Sequence, residues 1–141
     1  MTIFLDANIL VSVLNNEYPS FTHTSRIVSL ADNKNFTVFT SPICLAIAFY
    51  FAEKKSGTLL AKKKIQLLTE KLSITSVGKA EVMAALQNKK VNDFEDGLEF
   101  YAADCYNCDA IITEDINDFY FSTIPVYNSK SFFERILLKG K

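Results

Sequence analysis

The chain has 141 residues, 49% of them hydrophobic, with fifteen basic residues against sixteen acidic ones and a formal net charge of −1. That length suits one domain, read here as a single domain over residues 1–141, with enough apolar residues for a core of its own. Four Gly and three Pro are too few for a loop-rich all-β fold or a disordered chain. A near-zero charge excludes a polybasic protein that holds nucleic acid by bulk charge, but leaves room for a basic rim around an acidic pocket.

Residues 1–6 carry neither the basic start nor the apolar stretch of a secretory signal. No apolar run reaches the roughly 18 residues of a membrane span. A cytoplasmic location without a membrane partner is therefore expected. Cys44, Cys105 and Cys108 form an odd set, which suits a reducing compartment. The spacing Cys105-Tyr106-Asn107-Cys108 has no second pair to complete a metal site, and His23 is the only histidine. Both thiols are expected to fill core space near a helix end. His23, with no nucleophile beside it, reads as a surface or helix-start residue.

In chain order, residues 2–5 are a short apolar run ending in Asp6, which predicts a first buried strand. Ile9, Leu10, Val13 and Leu14 recur at helical spacing over residues 8–14. A second helix spans 21–32, with Ile27, Val28, Leu30 and Ala31 inward. Residues 36–40 are β-branched and aromatic, hence a second strand. Ser41-Pro42 then supplies a helix start, Ser at the N-cap and Pro at the first helical position, with a stop near Ser56-Gly57. Another helix spans 58–72, with Leu60, Ile65, Leu68 and Leu72 on or near one face. A short strand over 73–75 and a helix over 79–88 follow, the latter with Val82, Met83 and Leu86 on one face. A helix from about 94 to 107 leads to the strand 110–113. Pro125 marks 124–127 as an edge strand, because proline cannot donate to a ladder. A capping box at Ser131 opens the last helix, with Ser129 as a rival cap. Strands alternating with helices predict an α/β fold, a parallel sheet wrapped by helices.

The chemistry lies in the acids. Asp6 ends the first strand, with Asn8 two residues on. Asp93 and Asp96 stand at the entry of the helix from 94. Asp115 and Asp118 follow the strand ending at Thr113. In open α/β sheets ligands bind outside the carboxyl ends of the strands, where all three acidic spots are expected. Carboxylates forced together raise one another's pKa, and a hard dication relieves the repulsion. Such an ion ionises water and polarises a phosphoryl oxygen. An acid at a turn or helix start also has a purely structural use, complementing the helix dipole.

Asp6-Ala7-Asn8 behind an apolar strand, Asp93-Phe94-Glu95-Asp96-Gly97-Leu98 leading to Tyr101-Ala102-Ala103, and Thr113-Glu114-Asp115 leading to Asp118-Phe119 resemble PIN-domain ribonucleases of the VapC-like toxin type. The order and intervals match from Thr2 to about Phe133. The resemblance implies a three-layer α/β/α fold around a central parallel sheet of about five strands, the first near its centre. It implies Mg²⁺ or Mn²⁺ held by Asp6, Asp96 and Asp115, and a catalytic set of Asp6, Asp96, Asp115 and Asp118. Asn8 and Thr113 match residues that orient the pocket, and Asp93 is a spare acid at its rim. An RNA substrate, a homodimer and a small antitoxin protein are the implied partners, as in a type II toxin–antitoxin pair.

One position departs from the pattern. The family commonly has a Glu six residues beyond the Ser that starts the helix after the second strand, and here that position is Ile47. Glu53 cannot replace it, because six further residues turn it about 240° around the helix and move it about 9 Å along. A catalytically weakened PIN domain that binds RNA or a protein partner is therefore the alternative reading. Lys54-Lys55, Lys62-Lys63-Lys64 and Lys89-Lys90 are candidate flanks of an RNA path. Tyr18, Tyr50 and Tyr101 are candidate base-stacking residues, although core packing is the stronger expectation for the last two.

Overall fold

The computed structural model describes residues 1–139. Five parallel strands form one sheet: β1 Thr2–Leu5, β2 Thr37–Thr40, β3 Ser73–Ile74, β4 Ala110–Ile112 and β5 Val126–Tyr127, in the order β3-β2-β1-β4-β5. Seven helices wrap the sheet in three layers: α1 Ala7–Leu14, α2 Phe21–Ser29, α3 Pro42–Ser56, α4 Thr58–Lys71, α5 Lys79–Gln87, α6 Phe94–Cys105 and α7 Ser129–Phe132. Buried on both faces, the central strands are unbroken apolar runs: Ile3, Phe4 and Leu5 in β1 and Ala110, Ile111 and Ile112 in β4 are fully inaccessible. Ile3 pairs with Val38 on one side and Ala110 on the other, so β1 anchors the register of the whole sheet. β5, with Pro125 before it, is an edge strand, as the proline requires.

The helix boundaries follow local chemistry. The Ser41 hydroxyl accepts from the Cys44 N–H at 3.1 Å and Pro42 opens α3, while Gly57 ends it at φ 82°, a conformation that favours glycine. α1 and α6 end alike. In α1 the N–H of Glu17 reaches Ser12 O at 2.9 Å and that of Asn16 reaches Val13 O at 3.4 Å; in α6 the N–H of Cys108 reaches Ala103 O at 3.1 Å and that of Asn107 reaches Asp104 O at 3.0 Å. Both are Schellman closures with a left-handed Asn, Asn16 at φ 50° and Asn107 at φ 55°. This accounts for the cysteine spacing. Cys108 tucks under the closure while Cys105, expected in the core, projects into solvent from the last turn.

Several side-chain orientations differ from expectation. Leu60 of α4 and Met83 and Leu86 of α5 face solvent, and the buried contacts are made by Ala61, Leu68 and Ala85. Small residues let these helices approach their neighbours closely, which a count of large apolar residues does not register. Leu30 and Ala31 sit in a 3₁₀ turn and are only partly buried. The last helix is capped by Asn128, whose side chain accepts from the Ser131 N–H at 2.7 Å, so Ser129 is the first helical residue and Ser131 is no cap. Tyr50, expected in or near the core, is half exposed. His23 lies within α2, its ring 5.2 Å from that of Phe133.

Candidate active site

From β1 the chain steps outward to β2 and β3, then crosses back and lays β4 on the other side of β1. Such a reversal opens a crevice at the carboxyl ends of the two central strands. Asp6 leaves β1 there, and Thr113, Glu114 and Asp115 leave β4.

The Asp6 N–H still follows the sheet, donating to Ile112 O at 3.0 Å. Its carboxylate then caps α1, Oδ1 accepting from the Ala7 N–H at 2.6 Å. Oδ2 accepts from the hydroxyl of the fully buried Thr113 at 2.7 Å. Thr113 Oγ1 accepts in return from Asn8 Nδ2 and from the Asp115 N–H, each at 3.1 Å, so its one donor and two acceptor places are all used. Asn8 Nδ2 also donates to Asp115 Oδ2, and Asn8 Oδ1 accepts from the Glu114 N–H, both at 3.2 Å. The network ties the ends of β1 and β4 together and fixes both carboxylates. Each carboxylate oxygen keeps a second lone pair, so one hydrogen bond on each oxygen orients Asp6 and leaves it able to bind an ion.

The third acidic spot arrives on α6. Asp93 is the N-cap, its Oδ1 accepting from the Asp96 N–H at 3.1 Å, and Glu95 and Asp96 stand in the first turn. Asp6, Asp96, Asp115 and Asp118 thereby line one cleft of about 480 Å³, with Asn8, Glu17, Asp93 and Glu95 also on its wall. Thr113 lies behind the wall. Among the described residues no Lys, Arg or His lines the cleft. The cost of the crowding falls on Asp96. Burial, then the negative fields of Asp93, Asp118, Asp6 and Glu95, push its carboxyl up to about 7. Burial and the fields of Asp93 and Asp6 raise Glu95 in the same direction. A divalent cation suits this donor set, which consists of hard oxygens, is over-rich in negative charge and contains no cation of its own.

Ile47 is also on the cleft wall, and Phe51, one turn further along α3, stands beside the opening. Glu53 faces elsewhere, its Oε2 accepting from the Thr58 hydroxyl at 2.8 Å. Two of the lysines considered as RNA contacts are engaged at the end of α1. Lys64 Nζ donates to Leu14 O at 2.9 Å and Lys55 Nζ donates to Asn15 O. Positive charge at a helix C-terminus is stabilising, so these two serve the fold.

Sequence reasoning missed two residues behind the cleft. Glu99 on α6 is 1% exposed, and its Oε1 accepts from the Cys44 thiol at 3.0 Å. Asp6 Oδ, Cys44 Sγ and a Glu99 oxygen lie within 4.8 Å of one another. Burial first, then the field of Asp6, push the Glu99 carboxyl up to about 10. A signal was present: Glu99 is three residues beyond Asp96, on the same helix face, and sits among Leu98, Phe100, Ala102 and Ala103.

A family model for the PIN domain matches residues 2–117, well over half of the sequence. The chain belongs to the PIN domain family. Three solved structures share its fold. VapBC2 from Rickettsia felis, solved with a DNA fragment from its promoter, aligns with a TM-score of 0.67 at 23% identity, covering 91% of this chain and 98% of that one. VapBC-1 from nontypeable Haemophilus influenzae aligns at 0.69 and 17%, covering 92% and 99%. VapC20 of Mycobacterium tuberculosis, a toxin that cleaves the sarcin-ricin loop, aligns at 0.61 and 16%, covering 77% and 86%. No match was found among curated proteins.

Proposed function

We propose that this PIN domain is a divalent-metal-dependent endoribonuclease, the toxin of a type II toxin–antitoxin pair. The observation that carries this reading is the convergence of Asp6, Asp96, Asp115 and Asp118 in one cation-free cleft at the sheet's topological switch point. Asp6, Asp96 and Asp115 would hold Mg²⁺ or Mn²⁺. When bound, the ion would supply Lewis acidity toward the phosphodiester and lower the pKa of water.

The chain's own groups have separable tasks. Thr113 and Asn8 hold Asp6 and Asp115 in fixed orientation before substrate arrives, so the site needs little reorganisation. Asp118, on the same wall, would help orient the attacking water or hold a second ion. The exposed Phe51 offers an aromatic face for an unpaired base at the cleft, and the exposed Tyr18, next in sequence to the cleft-lining Glu17, offers a second. An antitoxin partner is supported by the fold likeness to VapBC complexes. The apolar residues exposed on α3 and α4, among them Phe51, Leu59, Leu60 and Leu67, support a protein-contact surface and a homodimer.

Ile47 on the cleft wall favours the second reading, a weakened domain that binds RNA or a protein without cutting. One assay separates the two. Purified protein and structured RNA are combined with Mg²⁺, with Mn²⁺ and with chelator, beside Asp6→Asn. Metal-dependent cuts lost in Asp6→Asn are expected. RNA retained on the protein but left intact with every metal would transfer the case to the binding module.

A further inference from the structure

Cys44 enters α3 at its third position, directed there by the Ser41 cap, and is fully buried. Glu99 comes from the opposite direction on α6, and Asp6 from the end of β1. Three elements thus bring two carboxyls and a thiol to one point beneath the floor of the cleft. Glu99 Oε1 accepts from Cys44, while Oε2 has no donor among the described residues, and only a proton on Glu99 would let it bond to the Asp6 carboxylate. A buried carboxyl oxygen without a donor is costly to the fold. Either a proton or a cation must neutralise the group, and the neighbouring side chains supply no cation.

We propose that Asp6, Cys44 and Glu99 form a second metal site, beneath the nuclease cleft and sharing Asp6 with it, which takes a borderline-soft dication of the Zn²⁺ or Co²⁺ class. A mixed thiolate and carboxylate set selects such ions over Mg²⁺, which avoids sulfur. The spacing suits it. Bonds of about 2.3 Å to sulfur and about 2.0–2.2 Å to oxygen separate tetrahedral ligands by roughly 3.4–3.6 Å, within the span the three atoms already share. The site also relocates the helix-borne carboxylate that Ile47 lacks. Instead of reaching down from α3, the carboxylate is offered from α6, and α3 contributes the thiol. Deprotonation of Cys44 and Glu99 accompanies ion binding, because only the ionised groups are ligands. This inference deepens the metal-dependent reading through Asp6, yet its test does not use cleavage.

Metal-stripped full-length protein is titrated with Co²⁺ and followed by near-ultraviolet absorption. A thiolate-to-cobalt charge-transfer band is expected at one equivalent. Zn²⁺ should abolish it at stoichiometric amounts, and Mg²⁺ should not. Cys44→Ser should remove the band, whereas Cys105→Ser, which alters the exposed thiol, should keep it. Glu99→Gln should weaken Co²⁺ binding by at least the ten- to hundredfold, roughly, that loss of even an outer-shell partner costs. Absence of the band in the wild-type protein overturns the proposal, as does a band that survives Cys44→Ser and vanishes with Cys105→Ser. Either result leaves the RNA assay to judge the nuclease reading independently, and a band without cleavage would fault that reading alone.

Discussion

At the scale of single residues, Thr113 shows how a neutral side chain governs an acidic one. Its hydroxyl is saturated by Asp6, Asn8 and the Asp115 N–H, so removing it leaves three groups short of a partner at once. Thr113→Val keeps the shape and should destabilise the protein by about 1–3 kcal/mol. RNA cleavage should fall more than that implies, because Asp6 and Asp115 lose their common brace; thermal melts beside initial cleavage rates test the difference. Ile47 poses the opposite question. Its side chain already lines the cleft, so Ile47→Glu adds a carboxylate where the ion would sit. Calorimetry should find tighter Mg²⁺ binding, and the metal-free variant should melt lower because repulsion has grown. Asp6→Asn should lose metal binding and cleavage together. Unchanged Mg²⁺ affinity in Ile47→Glu would mean that this position does not face the ion.

Among the elements, α6 brings Asp96 to the cleft and Glu99 beneath it. Gly97 follows Asp96, and a Cβ added there would lie 2.7 Å from Val91 Cγ1 and 3.1 Å from Ala85 Cβ. The missing side chain is what lets α6 settle onto α5 and the loop before it. Gly97→Val would gain a few tenths of a kcal/mol in helix propensity and lose about 1–3 to overpacking, so a net loss of stability is expected. Because Asp96 and Glu99 ride on the same helix, metal affinity measured below the melting transition should fall too. Which elements exist was largely legible from the sequence: unbroken apolar runs marked β1 and β4, and Ser41-Pro42 and Gly57 bracketed α3. Which faces point inward was legible only in part. In α4 and α5 Ala61 and Ala85 make close contacts beside Leu68, while Leu60, Met83 and Leu86 remain outside, so size alone did not mark the inward face. Glu99 escaped notice because a lone acid in an apolar helix acquires meaning only when Asp6 and Cys44, distant in sequence, are seen beside it.

For the whole molecule, the crowded acids make stability depend on pH. An acid whose pKa is raised by folding favours the native state at low pH and loses that contribution as pH climbs through the folded value. For Asp96 the window runs from its ordinary 3.8 to about 7, and Glu99 extends it to about 10. The melting temperature of metal-free protein should therefore fall between about pH 5 and about pH 8. Added Mn²⁺ should flatten that slope by taking the place of the protons, and a melting temperature rising over this interval would contradict the assignment. Assembly is the second property at this scale. Leu60 and Leu67, seven residues apart on α4, expose apolar side chains on the same face, about two turns apart. Light scattering should report a dimer, and Leu60→Glu combined with Leu67→Glu should report a folded monomer.

The chain order of the acidic cleft also bears on synthesis. Asp6 is made more than a hundred residues before its braces, Thr113 and Asp115, which emerge only after α6 is complete, with Asp118 later still. Domains fold as units while the chain is elongated, and pairings distant in sequence come late. A nascent chain that stalls before β4 has joined β1 therefore carries an unassembled pocket, whatever helices it has already formed. If the chain is the toxin proposed above, products truncated before β4 should be harmless when expressed, and the need for an antitoxin would begin only when the last strands dock.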